Sequence, residues 1–194
     1  MSSGDVSAAL IEAAARIISE EGRPALTNRR VSAEVGTSTM SIYTHFGSNE
    51  GLVAAVVDEG FARLAEHLRA VPRDDDPLTV LLHLADAYRH NAVENRHLYA
   101  VMFSAAGTSG GPSAVTRHRR DTFDALVAAT RSAMDAGHLR RDDAESVAGQ
   151  LWSALHGYVM LELAGFMRPE NGTETTVLQP LLINLGIALA GARP

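Results

Sequence analysis

Cysteine and lysine are both absent from this 194-residue chain. Without thiols there is no disulfide, no thiolate metal site and no cysteine nucleophile. Aromatic residues make up only 5% against 46% hydrophobic residues in total. A chain rich in Ala, Leu and Val but poor in aromatic side chains favours helix over sheet. Positive charge is also short: all 17 basic residues are arginine, and the net charge is −6. That balance argues against a general nucleic-acid binder, because phosphate attraction supplies most non-specific affinity. Residues 1–46 carry four arginines (16, 23, 29, 30) against five acids (5, 12, 20, 21, 34), 4 − 5 = −1. Any DNA binding there must rest on a few positioned groups. Long apolar runs are missing too. The long uncharged stretch Thr175 to Ala192 contains Gln179, Pro180 and Asn184. It falls short of the roughly 20 apolar residues of a membrane span. Residues 1–17 carry no basic start and meet Arg16 before any long apolar run, so no signal peptide is expected. The expectation is a soluble cytoplasmic protein with no membrane partner.

What is present is helical periodicity. Leu10, Ile11, Ala14, Ala15, Ile17 and Ile18 recur at three- and four-residue spacing and predict a helix over 6–21. Gly22 and Pro24 stop it. Thr27 can cap a short helix through Val35, Gly36 breaks it, and Ser38 can cap a second through His45. Ser48 can cap a long helix over 48–69 with Glu50 at its positive end and a stripe of Val53, Val57, Phe61, Leu64 and Leu68. Residues 70–77 (AVPRDDDP) read as a connection. Asp74, Asp75 and Asp76 suit a solvated loop and helix cap better than a metal site. Further helices are expected over about 77–94, 96–105 and 113–136. The loop 106–113 between the last two lacks the Gly-Lys-Ser/Thr ending of a phosphate-binding loop.

The helices over 143–166 and 177–190 differ from the rest, being apolar nearly all round. A helix without a clear polar face must be covered on both sides. An identical chain is the simplest second cover. Leu155, Val159, Leu178, Leu181, Leu182, Leu185 and Leu189 are the expected homodimer contacts. Pro180 means that the last helix starts or kinks there.

The informative unit is Thr27 to Phe46, TNRRVSAEVGTSTMSIYTHF. Two short helices crossing steeply need a small residue at the contact, a glycine at the turn and an apolar anchor on the second helix. Ser32, Gly36 and Ile42 stand at those places, with Val31 and Val35 completing the buried face. The second helix then offers hydroxyls, a methyl-bearing side chain and an aromatic hydroxyl, a plausible DNA-reading face. Each has a structural alternative: Tyr43 as core aromatic, Arg29 and Arg30 as a solvated pair, His45 packed under Phe46.

The block resembles the TetR family of regulators. The resemblance rests on a first helix ending near Gly22, then Thr27, Gly36-Thr37-Ser38, Ile42-Tyr43-Thr44-His45-Phe46, and Ser48-Asn49-Glu50-Gly51-Leu52. It covers about residues 8–58. It implies an all-α protein with a three-helix helix-turn-helix domain over residues 1–50 and a helical ligand-binding and dimerisation domain over residues 51–194. Carried over by position, it implies that Arg29, Thr39, Met40 and Thr44 face bases. Thr27, Asn28, Ser41, Tyr43 and His45 meet phosphates beside Ser38. Asn49 stands where the family usually has lysine; an amide can still donate to phosphate, without charge. Leu151-Trp152-Ser153-Ala154-Leu155-His156-Gly157 looks like the Trp-His-Gly element of one subgroup.

By the same resemblance, a homodimer holds operator DNA and a small-molecule effector changes the spacing of its two DNA heads. Candidate effector-lining residues are Tyr88, Met102, Phe103, Trp152, His156 and Glu162. Each has a bland alternative as core, and Glu162 could answer a ligand or pair with an arginine. No cofactor is implied. The rival class, an enzyme or metal protein, has little behind it. His83, His90 and His97 repeat every seven residues, whereas metal ligands sit three to five apart, and no HExxH or nucleophile elbow occurs. A second rival is a regulator-like ligand sensor or interaction scaffold with weak or lost DNA binding.

Overall fold

A computed structural model describes residues 3–72, 76–104, 117–167 and 169–190. Contacts divide the chain into two compact units, residues 1–65 with 95–120, and residues 66–94 with 121–194. The Asp74–Asp75 pair and the loop 106–113 lie outside the described residues.

The first unit holds α1 (Ser3–Glu21), α2 (Asn28–Val35), α3 (Thr39–Phe46), most of α4 (Asn49–Arg69) and α6 (Arg96–Met102). Its boundaries follow from caps. Thr27 Oγ1 accepts the Arg30 N–H at 3.2 Å and opens α2. Gly36 closes α2 at φ 72°, with Thr37 N–H donating to the Ser32 carbonyl at 2.9 Å and Gly36 N–H to Ala33 at 3.3 Å. This is a Schellman closure, which favours glycine at the left-handed position. Ser48 Oγ accepts the Gly51 N–H at 3.0 Å and opens α4. α1 packs against α2 and α6 around fully buried Leu10, Ile17, Val31, Ile42, Leu52, Val56 and Tyr99. Polar ties reinforce the packing: Arg63 on α4 donates to Glu59 at 2.8 Å, to Asn95 at 2.8 Å and to Glu12 on α1.

The second unit holds α5 (Pro77–Glu94), most of α7 (Arg117–Asp135), α8 (Ala144–Leu163) and α9 (Gln179–Leu189). Asp76 caps α5, accepting from Leu78 N–H at 3.2 Å and from the Thr79 hydroxyl at 2.8 Å. The Thr79 bond holds its carboxyl below the usual range. Val127, Met134, Leu139, Val147, Ala148 and Leu189 form the core. The last helix neither simply starts nor simply kinks at Pro180. A π-helical turn, Glu174–Leu178, runs into α9, and Pro180 falls in the first α-turn, where a missing N–H costs least. No helix among the described residues is long and apolar enough to cross a membrane.

Candidate nucleic-acid interface and effector site

The helix-turn-helix is built from α2, the Gly36 turn and α3. Ile42 is fully buried and Ser32 nearly so, so the anchor and the small contact residue stand where the spacing predicts. The Ser32 hydroxyl has no hydrogen-bond partner among the described residues. Val35 is only half-buried. With Ile42 facing inward, α3 turns Thr39, Met40, Tyr43 and Thr44 outward. Met40 is 66% and Tyr43 53% exposed, so Tyr43 is no core aromatic. Thr44 Oγ1 donates to the Met40 carbonyl at 3.0 Å, which leaves its methyl and lone pairs for a partner. Ser41 and His45 are half-buried. Ser41 shares a 2.8 Å hydroxyl bond with Thr37, and the His45 ring lies 5.9 Å from Phe46. Ser38 is exposed and takes the cap position of α3, but its side chain makes no cap bond.

Charge on this face is rationed. Arg16 pairs with Glu34 and Glu20, Arg23 with Glu50, and Arg30 with Glu21. Arg29 is exposed and has no acidic partner among the described residues. Arg29 and Arg30 are therefore not an equivalent solvated pair. Asn49 does not point to solvent: its Nδ2 donates to Asn28 Oδ1 at 2.8 Å.

The six effector candidates are divided between the two compact units. Met102 and Phe103 belong to the first unit. Met102 is buried beside Gly60, and Phe103 stacks on Phe61 and Tyr99 with centroids 5.8 and 5.0 Å apart. Tyr88, Trp152 and His156 do come together, in the second unit. Trp152 Nε1–H donates to the Tyr88 oxygen at 3.0 Å, and the Tyr88 hydroxyl lies 3.0 Å from His156 Nδ1. The Tyr88 O–H can donate to Nδ1 of a neutral imidazole. Burial pushes the His156 pKa down, which favours that neutral form. Glu162 answers an arginine: Arg89 Nε donates to it at 2.8 Å, and Arg89 Nη1 reaches Glu174 on the π turn at 3.0 Å. Sequence reasoning missed Arg89. The available signal was Glu162 itself, because a lone carboxylate in an apolar helix needs a counter-charge.

The expected dimer leucines separate as well. Leu155, Val159, Leu178 and Leu189 are buried within the chain itself, so they offer no free face. Leu182 is half-buried. Leu181 and Leu185 line an open apolar groove with Phe123, Trp152 and Gly149. On α8 and α9 the outward large apolar side chains are Met160, Leu161, Ile183 and Ile187, the last two 59% and 69% exposed.

Comparison with known proteins gives this arrangement its family. Residues 10–56 match the model of bacterial regulatory proteins of the tetR family, and residues 81–179 match the tetracyclin repressor-like C-terminal domain. The chain belongs to the TetR family. It is a DNA-binding transcriptional regulator, and its family is not one of enzymes. The HTH-type transcriptional repressor AcnR of Corynebacterium diphtheriae is 29% identical over 178 residues, 89% of this chain and 85% of AcnR. Two solved structures share the fold. The TetR family regulator PfmR of Thermus thermophilus has TM-score 0.74 and 20% identity over 95% of this chain and 96% of PfmR. AibR, solved with isovaleryl coenzyme A and operator DNA, has TM-score 0.67 and 18% identity over 80% of this chain and 85% of AibR.

Proposed function

We propose that this TetR-family chain is a homodimeric cytoplasmic repressor that grips a palindromic operator and releases it when a small molecule binds. The observation that carries the DNA-reading part is the outward face of α3. Thr39, Met40, Tyr43 and Thr44 stand exposed, and so does Arg29 on the preceding helix, which no carboxylate among the described residues engages. In this reading Arg29, Thr39, Met40 and Thr44 meet bases, and Thr27, Asn28, Ser41, Tyr43 and His45 meet phosphates, with Ser38 alongside. Residues 1–50 then bind DNA, while residues 51–194 hold the effector and the partner subunit. Support for the outcome comes from AcnR, a named repressor, and from AibR, whose structure holds both a ligand and operator DNA.

Tyr88, Trp152 and His156 are the effector residues best supported, because the Trp152 indole N–H and the His156 ring nitrogen converge on the one Tyr88 hydroxyl. A ligand that takes over the Tyr88 hydroxyl breaks the Trp152 bond. To reverse occupancy from 99:1 to 1:99 it must favour the released form by about 5.5 kcal/mol.

A second reading, a ligand sensor that has lost DNA binding, draws on the head's charge: three of its four arginines already face carboxylates. A gel-shift on the DNA flanking the coding region separates the two. The repressor reading expects a retarded band that survives excess random competitor. Retardation abolished equally by any competitor favours the sensor.

A further inference from the structure

Asn49 opens α4 where a phosphate-seeking side chain is expected, yet it is turned toward its own chain. Its Nδ2 donates to Asn28 Oδ1 at 2.8 Å and lies 3.5 Å from the Leu26 carbonyl oxygen. A carbonyl can only accept, so the Asn49 atom beside it must be the amide nitrogen, and both amide protons are committed. What remains of Asn49 is Oδ1, an acceptor that cannot bond a phosphate oxygen. The same reasoning fixes Asn28. The atom facing Asn49 is its oxygen, so both protons of its own Nδ2 are left to donate elsewhere. Both side chains are half-buried, and the bond joins the first residue of α4 to the first residue of α2.

We propose that Asn49 is a positioning residue for DNA binding, clamping the Asn28 amide so that its Nδ2 is presented to the DNA backbone and making no phosphate contact of its own. The proposal rests on the reading of Asn28 as a phosphate-contacting residue. Without the clamp, Asn28 is free to turn its oxygen outward, and half of its amide orientations then repel the phosphate they should hold.

The test measures affinity for a duplex selected from a random-sequence pool by the wild-type protein, with melting temperatures taken without DNA. Asn28→Ala and Asn49→Ala should each weaken binding about three- to tenfold, as for one hydrogen bond. The double variant should lose no more than Asn28→Ala alone. Asn49→Asp provides a readout that a purely structural role would not move. A carboxylate there suits the positive end of α4 and keeps the clasp by accepting from a flipped Asn28 amide, so the melting temperature should fall by no more than the loss of the long Leu26 contact accounts for. That flip turns the Asn28 oxygen to the DNA, so binding should fall further than in Asn49→Ala. In the Asn28→Ala background the Asn49→Asp penalty should shrink to the effect of its charge. Losses that multiply in the double variant would overturn the proposal in favour of an independent Asn49 contact. A lowered melting temperature with unchanged affinity would overturn it in favour of a structural clasp. An Asn28→Ala variant that binds normally removes both the proposal and the role given to Asn28. A wild-type protein that selects no duplex removes the proposed function itself.

Discussion

Two side chains set what this molecule can do chemically, one on each compact unit. On the first, Arg29 is exposed and unpaired by any acid among the described residues, while its neighbour Arg30 is held by Glu21. A guanidinium free of carboxylates can present its fork to a guanine edge. Arg29→Ala should cost about 1–3 kcal/mol of operator affinity and relax the preference at one base pair. Titration against matched and substituted operators checks this, and equal losses on every sequence would assign Arg29 to the backbone. On the second unit, burial pushes the His156 pKa down and favours the neutral imidazole. Its folded pKa lies below its unfolded value, so acid favours the unfolded chain. The contribution of the neutral form is fully present above the ordinary imidazole value of about 6.5 and is lost as pH falls toward the lower folded pKa. Melting temperature should therefore fall more steeply between about pH 7 and 5 in the wild type than in His156→Asn, which cannot titrate. Parallel profiles for the two proteins would mean that this histidine is not the group that acid attacks.

Legibility at the level of elements follows the kind of signal each element carries. The head was readable because its boundaries are written in local chemistry: Thr27, Gly36 and Ser48 each make the cap or turn their type implies. Its buried anchors, Ser32 and Ile42, also lie at the expected spacing. Glycine matters most where α4 starts. A Cβ on Gly51 would stand 2.0 Å from the Phe46 carbonyl oxygen, and a backbone atom cannot rotate away. Gly51→Ala should push α3 from α4 and cost about 2 kcal/mol in a urea melt. A variant as stable as the wild type would show that the two helices are free to shift. The effector half was less readable. α8 and α9 are apolar on nearly every side, so periodicity could not say which leucines face inward. Val159 and Leu189 went to the chain's own core, while Ile183 and Ile187 stayed outside. Met102 and Phe103 looked like pocket residues on a short apolar helix, but contacts with Gly60, Phe61 and Tyr99 make them packing. Trp152 and His156 are legible as neighbours one helical turn apart, but the approach of Tyr88 from another helix leaves no trace in local spacing.

For the whole molecule, the proposed function joins a surface that pairs two chains to a surface that reads DNA. Ile187 is the better probe of the first, because Leu185 also packs against the core. Ile187→Glu should leave the fold intact and shift light scattering from dimer to monomer, since an exposed face loses little in the free chain but a buried charge is costly in an interface. An intact dimer would move the interface elsewhere. The surface ion pairs of the head are worth little each, about 0–1 kcal/mol, so an operator phosphate can compete for Arg16, Arg23 or Arg30. In the proposed reading, sequence choice is thereby left to α3 and Arg29. The most direct test of that central claim is selection of duplexes from a random-sequence pool by the wild-type protein. Two recognition helices in successive major grooves require half-sites about one turn of B-DNA apart, roughly 34–36 Å, or a multiple of it. The account predicts enrichment of an imperfect inverted repeat with that spacing, lost when Arg29 and Thr39 are replaced by alanine. Recovery of duplexes without a shared sequence, or of a motif indifferent to those two residues, would contradict it.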